Sequence, residues 1–304
     1  MKTKHTLKNL GKLFKTTFIE WNEKDPFRQS AVIAYYAIFS IPGLLVLIIT
    51  IAGYFFGDDT VNQDILSQVS STLGSETALQ IKDILEKSNQ SKSTMWGSIV
   101  GIIILLIGAT GVFVELQKTL NLIWNVKVKK QNGVILYLKS RMFSFGLILA
   151  IAFLLIISLV ISTALAAMSD WVKVDTSAFM ITVFNILNFI ISLVVISLLF
   201  AMIFKILPDA KIEWKHVWLG SLVTGLLFTI GKTGLAYYFG QAEPASIYGA
   251  AGSVILILLW VSYSSMILFF GAEFTAAYAK MYSGTIAPTE IAKVEVPTSA
   301  EKKL

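Results

Sequence analysis

Residues 225–233 read GLLFTIGKT, and the way they are read decides the fold. A glycine followed by Gly-Lys-Thr looks like a phosphate-binding loop, which would make this a nucleotide-binding α/β protein. That loop needs four residues between its first Gly and the Gly-Lys pair, so that successive backbone N–H groups wrap the phosphates. Here Leu226, Leu227, Phe228, Thr229 and Ile230 make five. They are mostly apolar, no strand precedes them, and they continue an apolar run from Val217 to Phe239. A helix needs about 20 such residues to cross a bilayer. The loop reading fails, and Lys232 is left as a cation inside a membrane span.

The rest of the chain agrees with a membrane setting. Charged residues make up 14% of its 304 residues, against about 25% in soluble domains. Five further apolar runs reach spanning length: Ala31–Phe56, Trp96–Val114, Phe143–Met168, Phe179–Phe204 and Gly249–Ala277. They are too long for barrel strands and do not alternate in polarity. The expected fold is an all-α membrane protein, a bundle of six transmembrane helices over residues 28–282. With no cysteine in the chain, disulfides, Cys-ligated zinc and iron–sulfur clusters are excluded.

Loop charges orient the bundle. Of 25 Lys and Arg residues, 20 fall in the N-terminal arm, the second and fourth loops and the tail. Only Lys82, Lys87, Lys92 and Lys173 fall in the other three loops. The positive-inside rule then places both termini in the cytoplasm. The arm, residues 1–27, carries Leu7, Leu10, Phe14, Phe18 and Trp21 at helical spacing among lysines. It reads either as an amphipathic helix lying on the inner leaflet or as a helix packed under the bundle. The outer loop, 57–94, reads as two short amphipathic helices broken at Gly74-Ser75. The tail, 283–304, with Pro288 and Pro297 among small and charged residues, reads as disordered.

Lys232 is the costly residue, because a lysine near the centre of a span costs about 2.5–3.5 kcal/mol on insertion scales. Two readings stand: it binds an anionic group, or its stem snorkels to lipid headgroups. Glu243 and the carbonyls of Ser246–Gly252 are the nearest candidate partners. Glu115 and Glu273 fall at the opposite, cytoplasmic ends of their spans. With Lys205 and Asp209 they form either an inner gate or structural caps. Pro42 interrupts the first span and frees a backbone carbonyl. Tyr35, Tyr36 and Ser40 beside it either line a cavity or accompany a kink. Gly97-xxx-Gly101, Gly108, Gly111 and Ser221-xxx-Gly225 mark faces where helices approach closely. His5 and His216 have no metal-ligand spacing between them, so neither a metal site nor a catalytic site is expected.

Four stretches together carry a resemblance: SAVIAYYAIFSIPGLL (30–45), GATGVFVELQKTLNLIW (108–124), KILPDAKIEWKHVWLGSL (205–222) and SIYGAAGSVILILLWVSYSSMILFFGAEFTAAYA (246–279). The chain resembles the YihY/virulence factor BrkB family of bacterial inner-membrane proteins over nearly its whole length. The resemblance implies a six-helix protein of the inner (cytoplasmic) membrane, linked to envelope integrity and lipid export. It also brings the historical label ribonuclease BN, which two isolated histidines do not support. Recurrent polar positions of the family match at Tyr35, Glu115, Gln117, Asn121, Asp209, Tyr248 and Glu273.

The expected function is non-enzymatic transport or lipid handling for an amphiphilic or anionic substrate. Lys232, Tyr35, Ser40 and Tyr248 are the candidate binding residues, and no cofactor is expected. The alternative is a membrane scaffold for envelope assembly without a substrate. Membrane lipids are the expected partners, the small-residue faces also admit a homo-oligomer, and no nucleic acid is expected.

Overall fold

The computed structural model describes residues 2–40, 66–67, 70, 78–79, 82, 95–128, 178–242, 252–283, 287–289 and 292–294. The run Phe143–Met168, most of loop 57–94, Pro42, Glu243 and Tyr248 lie outside the described residues. In chain order the elements are α1 (Lys2–Glu23), α2 (26–40), α3 (Met95–Ile123), β1 (Val126–Val128), α4 (Ala178–Ile206), α5 (Trp214–Ala242), α6 (Gly252–Ser283) and β2 (Ala292–Val294).

Local chemistry sets several of these boundaries. Pro26 opens α2, where its missing N–H would have had no partner anyway. The preceding Asp25 has φ 54°, and its carbonyl accepts the Gln29 N–H at 3.3 Å. Helix α3 closes on Asn125, at φ 52°, a left-handed position that asparagine tolerates well. Pro208 stands two residues past Ile206, the last residue of α4.

This is a helical membrane protein. Among the described residues, three helices are long and apolar enough to cross a bilayer. They are Ile186–Ile206, Trp214–Phe239 and Val254–Tyr282, with mean hydropathy 2.8, 1.3 and 2.2. Their side chains are sorted for lipid. Ile186, Leu187, Phe189, Ile190 and Val194 of α4 point outward, while Ser197, Ser221, Thr224, Ser265 and Thr275 are buried. Apolar residues outside and hydroxyls inside is the arrangement that hydrocarbon solvent favours, since small polar residues hold helices together there.

The chain divides into two compact units, one of Met1–Trp21, Leu120–Leu226 and Phe270–Leu304, the other of Asn22–Thr119 and Leu227–Phe269. In the first unit α5 and α6 meet through two inverted Gly-xxx-Thr pairs. A Cβ on Gly220 would overlap Thr275, and one on Gly271 would overlap Thr224. Each threonine hydroxyl donates back into its own helix, Thr224 to the Gly220 carbonyl at 2.6 Å and Thr275 to that of Gly271 at 2.7 Å. The polar group is thereby satisfied while its side chain fills the neighbour's glycine notch. Gly225 faces α4 instead, its Cβ position 2.5 Å from Ser197 Oγ.

Helix α1 packs on the end of α6. Leu13 is buried with Phe274 and Ala277, the Phe14 ring lies 5.1 Å from that of Phe274, and Lys280 pairs with Glu20 at 2.9 Å. The buried stripe is therefore Leu13 and Thr17, beside the expected one, and leaves Leu10, Phe14 and Phe18 largely exposed. One face of the arm is docked on α6, and an aromatic face stays outward.

In the tail, which composition reads as disordered, residues 287–289 and 292–294 carry backbone pairings. β2 pairs antiparallel with β1, Val126 opposite Val294 and Val128 opposite Ala292. Lys211 N–H donates to the Ala287 carbonyl at 2.8 Å, and Thr289 N–H to that of Asp209 at 3.0 Å. These backbone pairings give the segment hydrogen bonds that composition does not reveal. They add a two-stranded ribbon to the otherwise helical set of described elements.

In the second unit α2 buries Pro26, Gln29, Ser30, Ile33, Ala34, Ala37 and Ser40, one stripe at helical spacing. The helix lies against the glycines of α3. A Cβ on Gly108 would come within 3.0 Å of the Ser40 backbone nitrogen, and one on Gly111 would overlap the Tyr36 ring. In the same unit Phe239 of α5 packs on Leu256 of α6, with Leu235 alongside.

Candidate functional site

Lys232 lies in the second unit, on α5. Phe228, Lys232, Leu235 and Phe239 follow an i, i+4, i+7, i+11 stripe, so they share one face of the helix. That face meets α6. Phe228 stands edge-on to Trp260 with ring centroids 5.9 Å apart, and Phe239 packs on Leu256. One residue before the lysine, Gly231 has no Cβ because the Tyr263 hydroxyl end occupies its place. The outward face carries Ile230 and Tyr237, 69% and 71% exposed. The lysine is half-buried and stands on the protein-facing stripe. Among the described residues it has no ion-pair partner.

The other expected binding residues are placed unevenly. Ser40 is buried against Gly108, and its Oγ donates to the Ala37 carbonyl at 3.2 Å. It acts as packing within α2. Tyr35 is exposed, its ring edge-on to Tyr36 and Phe39. No contact joins either of them to Lys232 among the described residues.

The expected gate charges resolve into separate arrangements. Glu115 pairs with Lys118 one turn along α3, at 3.3 Å. Glu273 is 0% exposed, in the run Ala272–Ala277 of α6 that is buried throughout. Lys205 donates to the Ile212 carbonyl and lies 5.7 Å over the Trp214 ring. Asp209 joins Asn121 reciprocally. The Asn121 amide donates to the Asp209 carboxylate at 2.8 Å, and the Asp209 backbone N–H donates to the Asn121 carbonyl oxygen at 2.7 Å. Both residues are buried, so two of the recurrent polar positions form one structural knot. Glu213, exposed at the start of α5, is held below the usual carboxylate range by its hydrogen bond and charge pairing with Lys215.

Sequence reasoning missed the glycine–threonine contacts of Gly220 with Thr275 and Thr224 with Gly271. The signal was present as two Gly-xxx-Thr spacings, 220–224 and 271–275. It missed Tyr263 altogether, because nothing in the local sequence says which glycine a tyrosine will cover.

The family model described as virulence factor BrkB matches residues 17–293. A UPF0761 membrane protein of Saccharophagus degradans is 26% identical over 271 residues, 89% of this chain and 60% of that protein. Another, from Tolumonas auensis, is 26% identical over 260 residues, 84% of this chain and 81% of that protein. The chain thus spans about three fifths of the length of the Saccharophagus relative. No solved structure matches the chain.

Proposed function

The chain belongs to the virulence factor BrkB family, and from that premise we propose that it is a transporter or lipid-handling protein of the bacterial inner membrane. Its substrate is an amphiphilic or anionic molecule, and its action is not enzymatic. One observation carries this reading: Lys232 sits on the protein-facing stripe of an apolar helix, with no carboxylate paired to it among the described residues. A membrane protein keeps such a costly cation where it has something to bind. A lysine serving only to snorkel belongs on the outward face, beside Ile230 and Tyr237. The residue inventory, two histidines and no cysteine, supports a binding role over the zinc chemistry of the old ribonuclease label.

Lys232→Met tests this. Removing the charge relieves the insertion cost, so the apparent Tm in detergent stays at or above that of the wild type. Complementation of a deletion strain falls at least about tenfold, the loss expected for one charge-assisted contact. Full complementation by Lys232→Met would end the anion-site reading and favour a scaffold without a substrate.

The proposed topology has six spans and both termini in the cytoplasm, supported by the loop charges. The cysteine-free chain allows single-cysteine labelling without further engineering. An impermeant maleimide should label Ser88→Cys in intact cells, and Thr3→Cys and Ser299→Cys only after permeabilisation. Labelling of Thr3→Cys in intact cells would reverse the orientation.

A further inference from the structure

A groove of about 600 Å³ runs along α4 and α5, inside the first unit. Leu193, Val194, Trp218 and Leu222 line its length, with Lys215 and Tyr278 at one end. Its floor is where Ser197 approaches Gly225. Ser197 is 4% exposed, and its Oγ has no hydrogen-bond partner among the described residues. The walls are apolar and turned outward: Val194 is 58% exposed and Trp218 50%.

We infer that this groove is a binding site for an anionic phospholipid, one acyl chain lying along Leu193, Val194 and Leu222 and the headgroup phosphate on Lys215. Depth, shape and charge agree on that occupant. Lys215, Trp218 and Leu222 are spaced i, i+3, i+7, so cation, amphipathic aromatic and aliphatic side chain follow one another along one face of α5. From Lys215 to Leu222 the helix rises about 10 Å. That is the succession of a membrane interface, where tryptophan and tyrosine sit between headgroup and chain. A positive side chain beside the first turn of a helix is disfavoured by the helix dipole, and a phosphate there compensates both.

The present neighbour of Lys215 is Glu213, and the two side chains are 64% and 61% exposed. An exposed pair of this kind is weak and screened by salt, so the lysine exchanges it readily for a phosphate. The site is separate from Lys232 and requires only that α4 and α5 face lipid.

Native mass spectrometry of the detergent-purified full chain, titrated with phosphatidylglycerol or phosphatidylcholine, reads the affinity of the first bound lipid. The wild type should prefer phosphatidylglycerol. Lys215→Gln should lower that preference about fivefold, the contribution of one lysine near an anionic surface. Glu213→Gln should raise it, since the competing carboxylate is gone. Both positions are exposed, so neither change threatens folding. Leu222→Trp, which fills the groove, should weaken both lipids. An unaltered preference in both Lys215→Gln and Glu213→Gln would overturn the site. So would a Leu222→Trp protein that keeps its lipid but loses a dimer, because the groove would then hold a second copy of the chain.

Discussion

Gly271→Leu is expected to abolish accumulation of folded protein in the membrane. The position has no room for a side chain, because a Cβ alone would overlap Thr224 Oγ1, Cβ and Cγ2. Thr224 cannot turn aside at low cost. It is β-branched and restricted at χ1, its hydroxyl is bonded to the Gly220 carbonyl at 2.6 Å, and it is fully buried. Forcing extra methylenes into a packed core costs about 1–3 kcal/mol or more. Here they would push apart two helices whose attraction in lipid depends on close backbone approach. The smaller Gly271→Ala should fold with an apparent Tm several degrees below that of the wild type.

The contact is mutual, and that gives it a specific test. In Gly271→Ala/Thr224→Gly the added methyl enters the space that the threonine vacates, and the apparent Tm should recover toward that of Gly271→Ala's parent. Gly271→Ala/Gly225→Ala should show no recovery, since Gly225 faces Ser197 of α4. Fluorescence-detected size-exclusion chromatography followed by thermal unfolding measures each variant. Wild-type behaviour of Gly271→Leu would mean that α5 and α6 do not meet closely at Gly271 and Thr224.

Three of the expected spans, Phe179–Phe204, Val217–Phe239 and Gly249–Ala277, were legible because hydrocarbon admits few solutions. A run such as Val217–Phe239 must be helical to satisfy its backbone, and α5 indeed covers Trp214–Ala242. Glycine faces were legible in kind but not in partner. Gly108, Gly111 and Gly225 read correctly as close-contact positions. The Gly220/Thr275 and Thr224/Gly271 pairs did not, because the motif states that a neighbour approaches and leaves open which helix supplies it. Lys232 was legible as a cost, and its helix face followed only once Phe228 and Phe239 had partners on α6. The pairing of β2 with β1 was beyond composition. Three residues such as Ala292–Val294 are too short to show a period, and their bonds go to a segment some 165 residues away in the chain.

Asn121→Leu should lower the apparent Tm by roughly 10 °C, from about 3–5 kcal/mol of lost stability. The leucine has nearly the shape of the amide and none of its bonds. Two buried groups rely on that amide: the Asp209 carboxylate, which accepts from it at 2.8 Å, and the Asp209 backbone N–H, which donates to it at 2.7 Å. Both residues are less than a tenth exposed, so water does not replace what the leucine removes. Loss of the knot should also spread to the tail. The Asp209 carbonyl accepts from both the N–H and the hydroxyl of Thr289, at 3.0 and 3.1 Å, and Ala210 bridges to Pro288. Limited proteolysis should therefore release the segment after Ser283 faster from Asn121→Leu than from the wild type. Asp209→Asn retains an oxygen for the Asn121 amide and gives up only the charge, so it should lie between the two in both measurements. If Asn121→Leu melts within about 2 °C of the wild type and protects its tail equally well, the knot does not anchor the tail. The β1–β2 ribbon and the Lys211–Ala287 bond must then hold the tail.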